Sequence, residues 1–575
     1  MPGFLISSKT TNVTLNDPHE QTYVKNAIQV DGGGTALRST LDKFLSDKAF
    51  YCNDRYVVIL DGYLLNKIDL LKEYNVEDVC SLVVAAYKRQ GEAFFSIFRG
   101  CFSGAIFDKK QKKWIVFTNQ IGDAPIFYCH TGDQFAAGSQ ITYLLDWCKE
   151  QNVGLSFNES CAYQMLTFGY VATDETYAEQ IKRLHGGDYL VWENNSLTIR
   201  KYHRFEKHPD RFTDVSEDEY VEVIDQEFQK AVSLEWSKDE EYGYDHVADL
   251  SGGLDSRMNV WVAHVLSQRR ATILTYCKDG YIDEIVAKQI ADYWGDEVFF
   301  KPLDDASFLY DIEENTAMLG GLSFYSAITG GKRLLESLNM DSFGIEHTGM
   351  VGDIALGSFF HHIEDGQKKW PSGMYSERLI SRLPDYVRNL DKMYSDYEIY
   401  LMYVRGFHFA CNTHLIRRHY TEVGSPFLNV DFLQLCFDIP VELRIGHHLY
   451  KKWIIERYPD ATRFKWEKIG GKITESQLRT KLRRLVKKGP KKLLRILGKA
   501  DRISDGMNPI DYWLSQNTDL RRTLDSYFHD TIQRVGDLFS SALLSDMLEL
   551  YNTGNASEQL MVLTVLASSK LYFQK

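Results

Sequence analysis

Hydrophobic and polar positions follow two different rhythms along this chain. Through the first two hundred residues, short β-prone runs alternate with clusters of turn residues. The clearest are YVVILDGYLL (56–65), GAIFDKKQKKWIVFTN (104–119) and GDYLVWENNSLTIRKY (187–202), broken by Asp108 to Lys113 and by Glu193–Asn194–Asn195. Such runs predict hairpins of an antiparallel sheet. Between them, VEDVCSLVVAAYKRQG (76–91) has a helical period and a glycine near its end. The polar stretch KYHRFEKHPDRFTDVSEDE (201–219) marks a boundary, so the chain divides into 1–205 and 206–575. Past it, strands alternate with longer helices. A helix is predicted over 220–236, a strand over 245–250, a helix over 256–268, a strand over 271–277, a helix over 283–295 and a strand over 297–303. That order implies a parallel sheet with crossover helices. The remainder, to residue 575, reads as mostly helical.

Length agrees with this division, since 575 residues exceed what one hydrophobic core usually spans. A net charge of −13 argues against a chain that coats nucleic acid through its overall field. Nine cysteines without a CxxC pair read as reduced thiols of a cytoplasmic protein. The start, MPGFLISSKTTNV, lacks the features of a signal peptide, and no uninterrupted apolar run is long enough to predict a membrane span.

The candidate chemistry lies in HVADLSGGLDSRMNV (246–260), where an apolar run stops at Leu250. Ligands meet a parallel sheet at the carboxyl ends of its strands, and a helix beginning there presents free N–H groups and partial positive charge. Gly252 and Gly253 let the backbone close on an anion, and Ser251 and Ser256 add hydroxyl donors. This suits a phosphate or pyrophosphate. A carboxylate at Asp255 would repel phosphate unless a divalent cation joined them, as Mg²⁺ does. A bare glycine pair would mean only a tight turn. The full S-G-G-x-D-S has chance odds on the order of 10⁻³ in a chain this long.

These residues resemble the PP-loop ATP pyrophosphatases, and the order along nearly the whole chain resembles the asparagine synthetase family. The resemblance implies an N-terminal α+β, Ntn-hydrolase-like sandwich of antiparallel sheets. It implies a C-terminal α/β, parallel-sheet PP-loop domain (adenine nucleotide alpha hydrolase-like) with a largely helical C-terminal part. It places Leu250, Ser251, Gly252, Gly253, Asp255, Ser256 and Thr275 against ATP. EHTGMVGDIALGS (346–358) looks like the second nucleotide loop, with Thr348 and Gly349 beside the adenosine and Asp353 as the second Mg²⁺ carboxylate. EVGSPFLNVDFL (422–433) looks like the P-F-L-D segment, with Asn429 in place of the acid. In YKKWIIERYPDATRFKWEKIGGKI (450–473), Lys468 matches the catalytic lysine best and Lys465 is a lesser candidate. The implied reaction joins a small-molecule carboxylate to ammonia or a substrate amine through an adenylate, with AMP and pyrophosphate as products. Asp255, Asp353 and Lys468 would be catalytic, Asp255 and Asp353 through Mg²⁺. The resemblance is compatible with a homodimer.

The first half resembles the family's glutaminase domain in its strands but not in its chemistry. That hydrolase attacks glutamine with a cysteine freed as the first residue, whereas this chain reads Met1–Pro2–Gly3–Phe4. The loop asparagine is Asp61, and Arg99 replaces the acid that would hold the substrate's amino group. No R-G-P-D stretch is found. This half is therefore expected not to hydrolyse glutamine. Relatives that use a substrate amine include the β-lactam synthetases and lasso-peptide cyclases, but Met350 stands where the β-lactam enzymes have a tyrosine.

QLRTKLRRLVKKGPKKLLRILGKA (477–500) carries ten Lys or Arg and no acid. Its readings are a helix pair packed through evenly spaced leucines, or a peripheral contact with an anionic surface, carrier or glycan. The histidines, including His361–His362 and His447–His448, show no metal-ligand spacing. Two other functional classes stay open. One is a catalytically silent binding or regulatory protein on the same scaffold. The other is a sulfur- or nitrogen-transfer enzyme acting on tRNA, for which only 477–500 offers a basic surface.

Overall fold

Strand alternation explains the first half. In Gly3–Ser7, Phe4 and Ile6 point to one side and Leu5 to the other, and in Tyr56–Leu64 the same rule separates Val57 and Ile59 from Tyr56, Val58 and Leu60. Both sides are buried, so these runs are apolar almost throughout. A computed structural model describes residues 2–15, 23–30, 34–212, 214–267, 270–327, 331–362, 373–476, 478–479, 483 and 506–574.

Two antiparallel six-stranded sheets face each other in this half. The first runs, in spatial order, Ile181–Arg183, Phe127–Thr131, Gln134–Gly138, Gly3–Ser7, Gly34–Leu41, Tyr23–Val30. The second runs Ser196–Lys201, Asp188–Glu193, Lys113–Thr118, Gly100–Asp108, Tyr56–Leu64, Ala49–Cys52. Phe4, Ile6, Ile59, Phe107 and Trp114 fill the space between them. Helices Lys67–Tyr74 and Val79–Gln90 cover the second sheet. Helices Ile141–Glu150 and Glu159–Phe168 cover the first. The predicted hairpins are present, and a further sheet built partly from residues 3–41 joins them.

The second half carries a parallel sheet in the order Glu297–Pro302, Thr272–Cys277, Asp245–Asp249, Phe343–His347, Val423–Gly424. By position along the chain this is 3-2-1-4-5. The direction of winding therefore reverses between Asp245–Asp249 and Phe343–His347, and in such sheets the crevice opens at that switch. Helices Asp255–Ser267 and Ile282–Trp294 follow the first two strands. The predicted 220–236 helix is longer, Glu217–Tyr242, because Ser216 and Glu219 form a capping box and Gly243, at φ 73°, ends it.

Helices Thr518–Val535, Ser541–Thr553 and Ala556–Phe573 pack onto the helical layer of the first half and share its core. A small apolar cluster of Phe44, Tyr63, Cys101 and Ala124 with Ile345 also joins the halves, beside polar contacts. Lys43 Nζ donates to Phe343 O at 2.7 Å and Thr421 Oγ1 at 3.0 Å, and Tyr63 Oη to Val423 O at 3.2 Å. Arg418 reaches between the sheets' ends to Asp123 Oδ2 at 3.2 Å and Cys101 Sγ at 2.6 Å. Segment 477–500 lies outside the described residues apart from Leu478, Arg479 and Arg483. No helix among the described residues is long and apolar enough to cross a membrane.

Candidate active site

The strand Asp245–Asp249 pairs on past its end through Leu250 N–H to Leu274 O at 2.9 Å, and the chain then turns at once into helix Asp255–Ser267. The turn is held from within. Ser251 N–H donates to Ser256 Oγ, and Gly253 N–H to Ser251 Oγ, each at 3.1 Å. It is also held from two neighbouring segments. Gly252 N–H donates to Asp283 Oδ1 at 2.9 Å, and Gly252 O accepts from Glu467 N–H at 2.9 Å. A Cβ on Gly252 would fall 2.8 Å from Asp283 Oδ1 and 3.0 Å from Glu467 Cβ. Burial, with Glu467 adding, raises Asp283 to about 6 although the Gly252 amide opposes it.

The turn after Phe343–His347 closes the other side. A Cβ on Gly349 would sit 2.2 Å from Ser256 N and 2.6 Å from the Asp255 carbonyl carbon, and one on Gly352 2.7 Å from Asp255 Cγ. Backbone meets backbone here, so no side chain fits. Between these glycines, Val351 has φ 61°. A β-branched residue in the left-handed region costs on the order of 1–3 kcal/mol and persists only where the surroundings hold it.

This contact brings Asp255 and Asp353 together. Tyr450 Oη donates to Asp255 Oδ1 at 2.9 Å, and the Asp353 backbone favours the charged form of the Asp255 carboxylate. Burial and the charge of Asp353 push Asp255 well above the ordinary carboxylate range, against Tyr450 and Lys468. Burial also raises Asp353, against Lys468 and Arg405. Two converging buried carboxylates, one raised by the charge of the other, are a hard-oxygen donor set that suits Mg²⁺. Lys468, and not Lys465, acts on both acids. Its Nζ is 3.4 Å from His447 Nε2, and burial followed by Lys468 lowers that imidazole to about 3. His447 is therefore neutral and presents a lone pair to the ammonium.

Leu250, Ser251, Gly253, Asp255, Ser256, Thr275, Thr348 and Gly349 line a cleft of about 270 Å³ at the switch point, with Met350 and Met507. Gly252 backs the cleft without lining it. Residues that motif reading missed do the bracing. Arg257, buried and lowered to about 10 by its burial, donates to Lys465 O at 2.5 Å and Ala461 O at 3.2 Å, tying the lysine segment to the glycine turn. An arginine directly before the largely apolar run MNVWVAHV (258–265) was the available signal. Arg417, from a distant helix, pairs with Asp249 Oδ2 at 2.9 Å on the cleft wall. Glu398 accepts from Arg444 at 2.7 and 3.0 Å, and Arg444 also donates to Gly357 O at 3.0 Å, so the pair anchors the Asp353–Gly357 turn.

Histidines cluster in space where their spacing showed nothing. His347 lies between Glu235 Oε1 at 2.9 Å and Asp239 Oδ2 at 2.8 Å, stacked on Trp236, and His246 Nδ1 is 3.0 Å from Asp239 Oδ2. Burial opposes a charge on His347, but Asp239 and Glu235 more than offset it and raise the ring to about 9. Both its nitrogens thus donate protons, which makes this an ion cluster bracing the strand before Thr348.

A glutamine amidotransferase domain model matches residues 46–203. Over 362 residues the chain is 22% identical to a putative glutamine-hydrolysing asparagine synthetase of Methanocaldococcus jannaschii, covering 60% of this chain and 65% of that one. Over 323 residues it is 25% identical to an asparagine synthetase of Bacillus subtilis, covering 54% and 47%. The chain thus spans less than two thirds of these relatives' lengths. The solved structure of the allosteric regulatory enzyme of purine biosynthesis aligns at 10% identity over 52% of this chain and 74% of that one, with a TM-score of 0.24, too loose to carry an argument. These matches support the asparagine synthetase family.

Three of the departures from the asparagine synthetase pattern have structural partners. Arg99 makes a two-pronged pair with Asp431 at 3.1 and 3.2 Å across the two halves. Asn429 caps helix Val430–Asp438 by accepting from the Asp431 and Phe432 amides. Asp61 accepts from Thr40 Oγ1 at 2.5 Å.

Two outcomes follow from the bracing. Burial would raise Glu398, but Arg444, Lys207 and Ser358 more than offset it and hold it at about 2, below its ordinary 4.5. Its stabilisation, about 3 kcal/mol, is fully present above pH 5 and is lost as pH falls toward 2. Glu398→Gln should cost about 3–5 kcal/mol at pH 7 and flatten that acid slope in urea titrations. Gly349→Ala should cost about 1–3 kcal/mol, read as a lower urea midpoint; an unchanged midpoint would mean the two loops are not locked.

Proposed function

We propose that this chain is an ATP-dependent, amide-forming ligase of the asparagine synthetase type that lacks its own glutaminase activity. One observation carries the reading: Asp255 and Asp353 converge beneath a glycine turn at the switch point of a parallel sheet. In this reading Asp255 and Asp353 hold Mg²⁺, which supplies positive charge to the nucleotide's phosphates. The turn from Ser251 to Ser256 presents N–H and hydroxyl donors to the pyrophosphate portion, and Thr275, Thr348 and Gly349 line the nucleoside side. A substrate carboxylate oxygen attacks the α-phosphorus and pyrophosphate leaves. An amine nitrogen then attacks the acyl carbon, AMP leaves, and the nitrogen gives up a proton. Lys468, backed by neutral His447, offsets charge on the entering carboxylate and on the tetrahedral oxyanion.

The first half supports an outside nitrogen source. The cavity bordered by Pro2, Asp61, Cys101 and Arg418 holds about 40 Å³, the space of a few waters. Arg418 stands on its wall, paired with Asp123, and Arg99 is turned to Asp431. In this reading free ammonia or an amine carried by the substrate is the nucleophile.

With ATP, Mg²⁺ and a pool of host carboxylates and amines, pyrophosphate and AMP should form in equal amounts alongside an amide found by mass spectrometry. Lys468→Ala should lower kcat by about 10²-fold or more with ATP binding retained. No pyrophosphate and no ATP binding would show a silent scaffold instead. Glutamine supplied alone should yield no glutamate; release at any steady rate would overturn the inactive-glutaminase part.

A further inference from the structure

A second cavity, of about 280 Å³, lies at the junction of the halves and shares no lining residue with the ligase cleft. Its walls come from the 172–188 stretch and Arg204 on one side, and from 386–394 and His408 on the other. Nothing in the proposed ligase chemistry uses it.

The polar groups left over inside it are acceptors. His408 Nδ1 lies 3.1 Å from Ala172 O, and a carbonyl only accepts, so Nδ1 carries the hydrogen and Nε2 is a bare lone pair. Buried among Arg183 and His185, His408 stays well below the usual imidazole range and is neutral. Its Nε2 faces Asp174 Oδ1 at 3.8 Å, and that oxygen is buried with no hydrogen-bond partner. Two acceptors thus confront each other with no donor between them, an arrangement that costs free energy until a donor enters. Desolvation raises Asp174 to about 6 even with Arg183 and Arg204 pulling it down, while its side chain as a whole stays 43% exposed and so open to a ligand.

The neighbouring donors are already engaged. Arg204 donates Nη2 to Asp188 at 2.9 Å and Nη1 to Gly186 O at 3.0 Å and His203 O at 2.8 Å. Tyr394 Oη pairs with His185 Nε2 at 3.1 Å, and Tyr386 Oη with Glu175 at 2.8 Å. Among the described residues lining the cavity, the one Lys or Arg is Arg204, which is already paired. On the opposite wall Leu390 and Met393 form an apolar strip, and Met393 is 79% exposed.

We propose that this cavity is a binding site for a small primary amine in its ammonium form. The ammonium donates to Asp174 Oδ1 and His408 Nε2, and its carbon chain lies along Leu390 and Met393. The site stands independently of the ligase reading.

The test uses n-butylammonium on the full chain at pH 7.5, followed by saturation-transfer NMR titration, with butyrate and tetramethylammonium as controls. Butylammonium should bind, both controls should not, and Asp174→Asn should weaken binding about tenfold, the scale of one charge-assisted hydrogen bond. Asp255→Asn should leave it unchanged. Equal binding of butyrate, or unaltered binding in folded Asp174→Asn, would overturn the proposal. So would loss in Asp255→Asn, which would put the amine in the ligase cleft. A crystal of the unaltered chain soaked in 2-bromoethylammonium gives a readout that needs no variant: bromine anomalous density beside Leu390 and Met393 supports the site, and density only elsewhere refutes it.

Discussion

The backbone-to-backbone contact between the turn at Gly349–Gly352 and the start of helix Asp255–Ser267 is what the rest of the site depends on. Two carboxylates repel, and burial penalises each, so neither Asp255 nor Asp353 would choose the other's company. Glycines at 349 and 352 remove the atoms that would keep the loops apart, and packing behind each loop supplies the force that holds them. The left-handed Val351 and His447 show where that force is stored, one beside each end of the acid–lysine constellation.

Behind the loops stands a ring of buried charge. Arg444 with Glu398, Arg417 with Asp249, and His347 with Asp239 and Glu235 each anchor the carboxyl end of a strand or the turn that follows it. Pairs of this kind add little net stability compared with well-packed apolar residues, but losing one partner is expensive. They specify where a loop sits. A site that must hold repelling groups at fixed separation needs such specification more than it needs additional stability.

Much of this architecture was legible in the chain. β-prone runs bounded by turn residues located the hairpins, and together with helical periods they placed the first three parallel strands within a residue or two; the strand Gly100–Asp108 begins four residues before its run. Phe343–His347 and Val423–Gly424 were not legible as strands. One is five residues and the other two, and their meaning lies in spatial order, which no local pattern carries. The glycine turn announced itself because its residue types are rare together. Arg257, Asp283, Tyr450 and Glu467 did not, since each acts through hydrogen bonds to a segment far away in sequence. Likewise Arg99 and Asn429 read only as lost chemistry until Asp431 and the helix cap appeared as their new employment.

Arg418 also bears on how the two halves tolerate change. Its guanidinium is buried against Asp123 and Cys101, inside the space that Pro2 and Asp61 also border. Replacing Asp123 alone would leave that charge buried without its paired carboxylate, at a cost of about 3–5 kcal/mol. Residues around such a charge can change only together, so this seam between the halves holds as a set or fails as one.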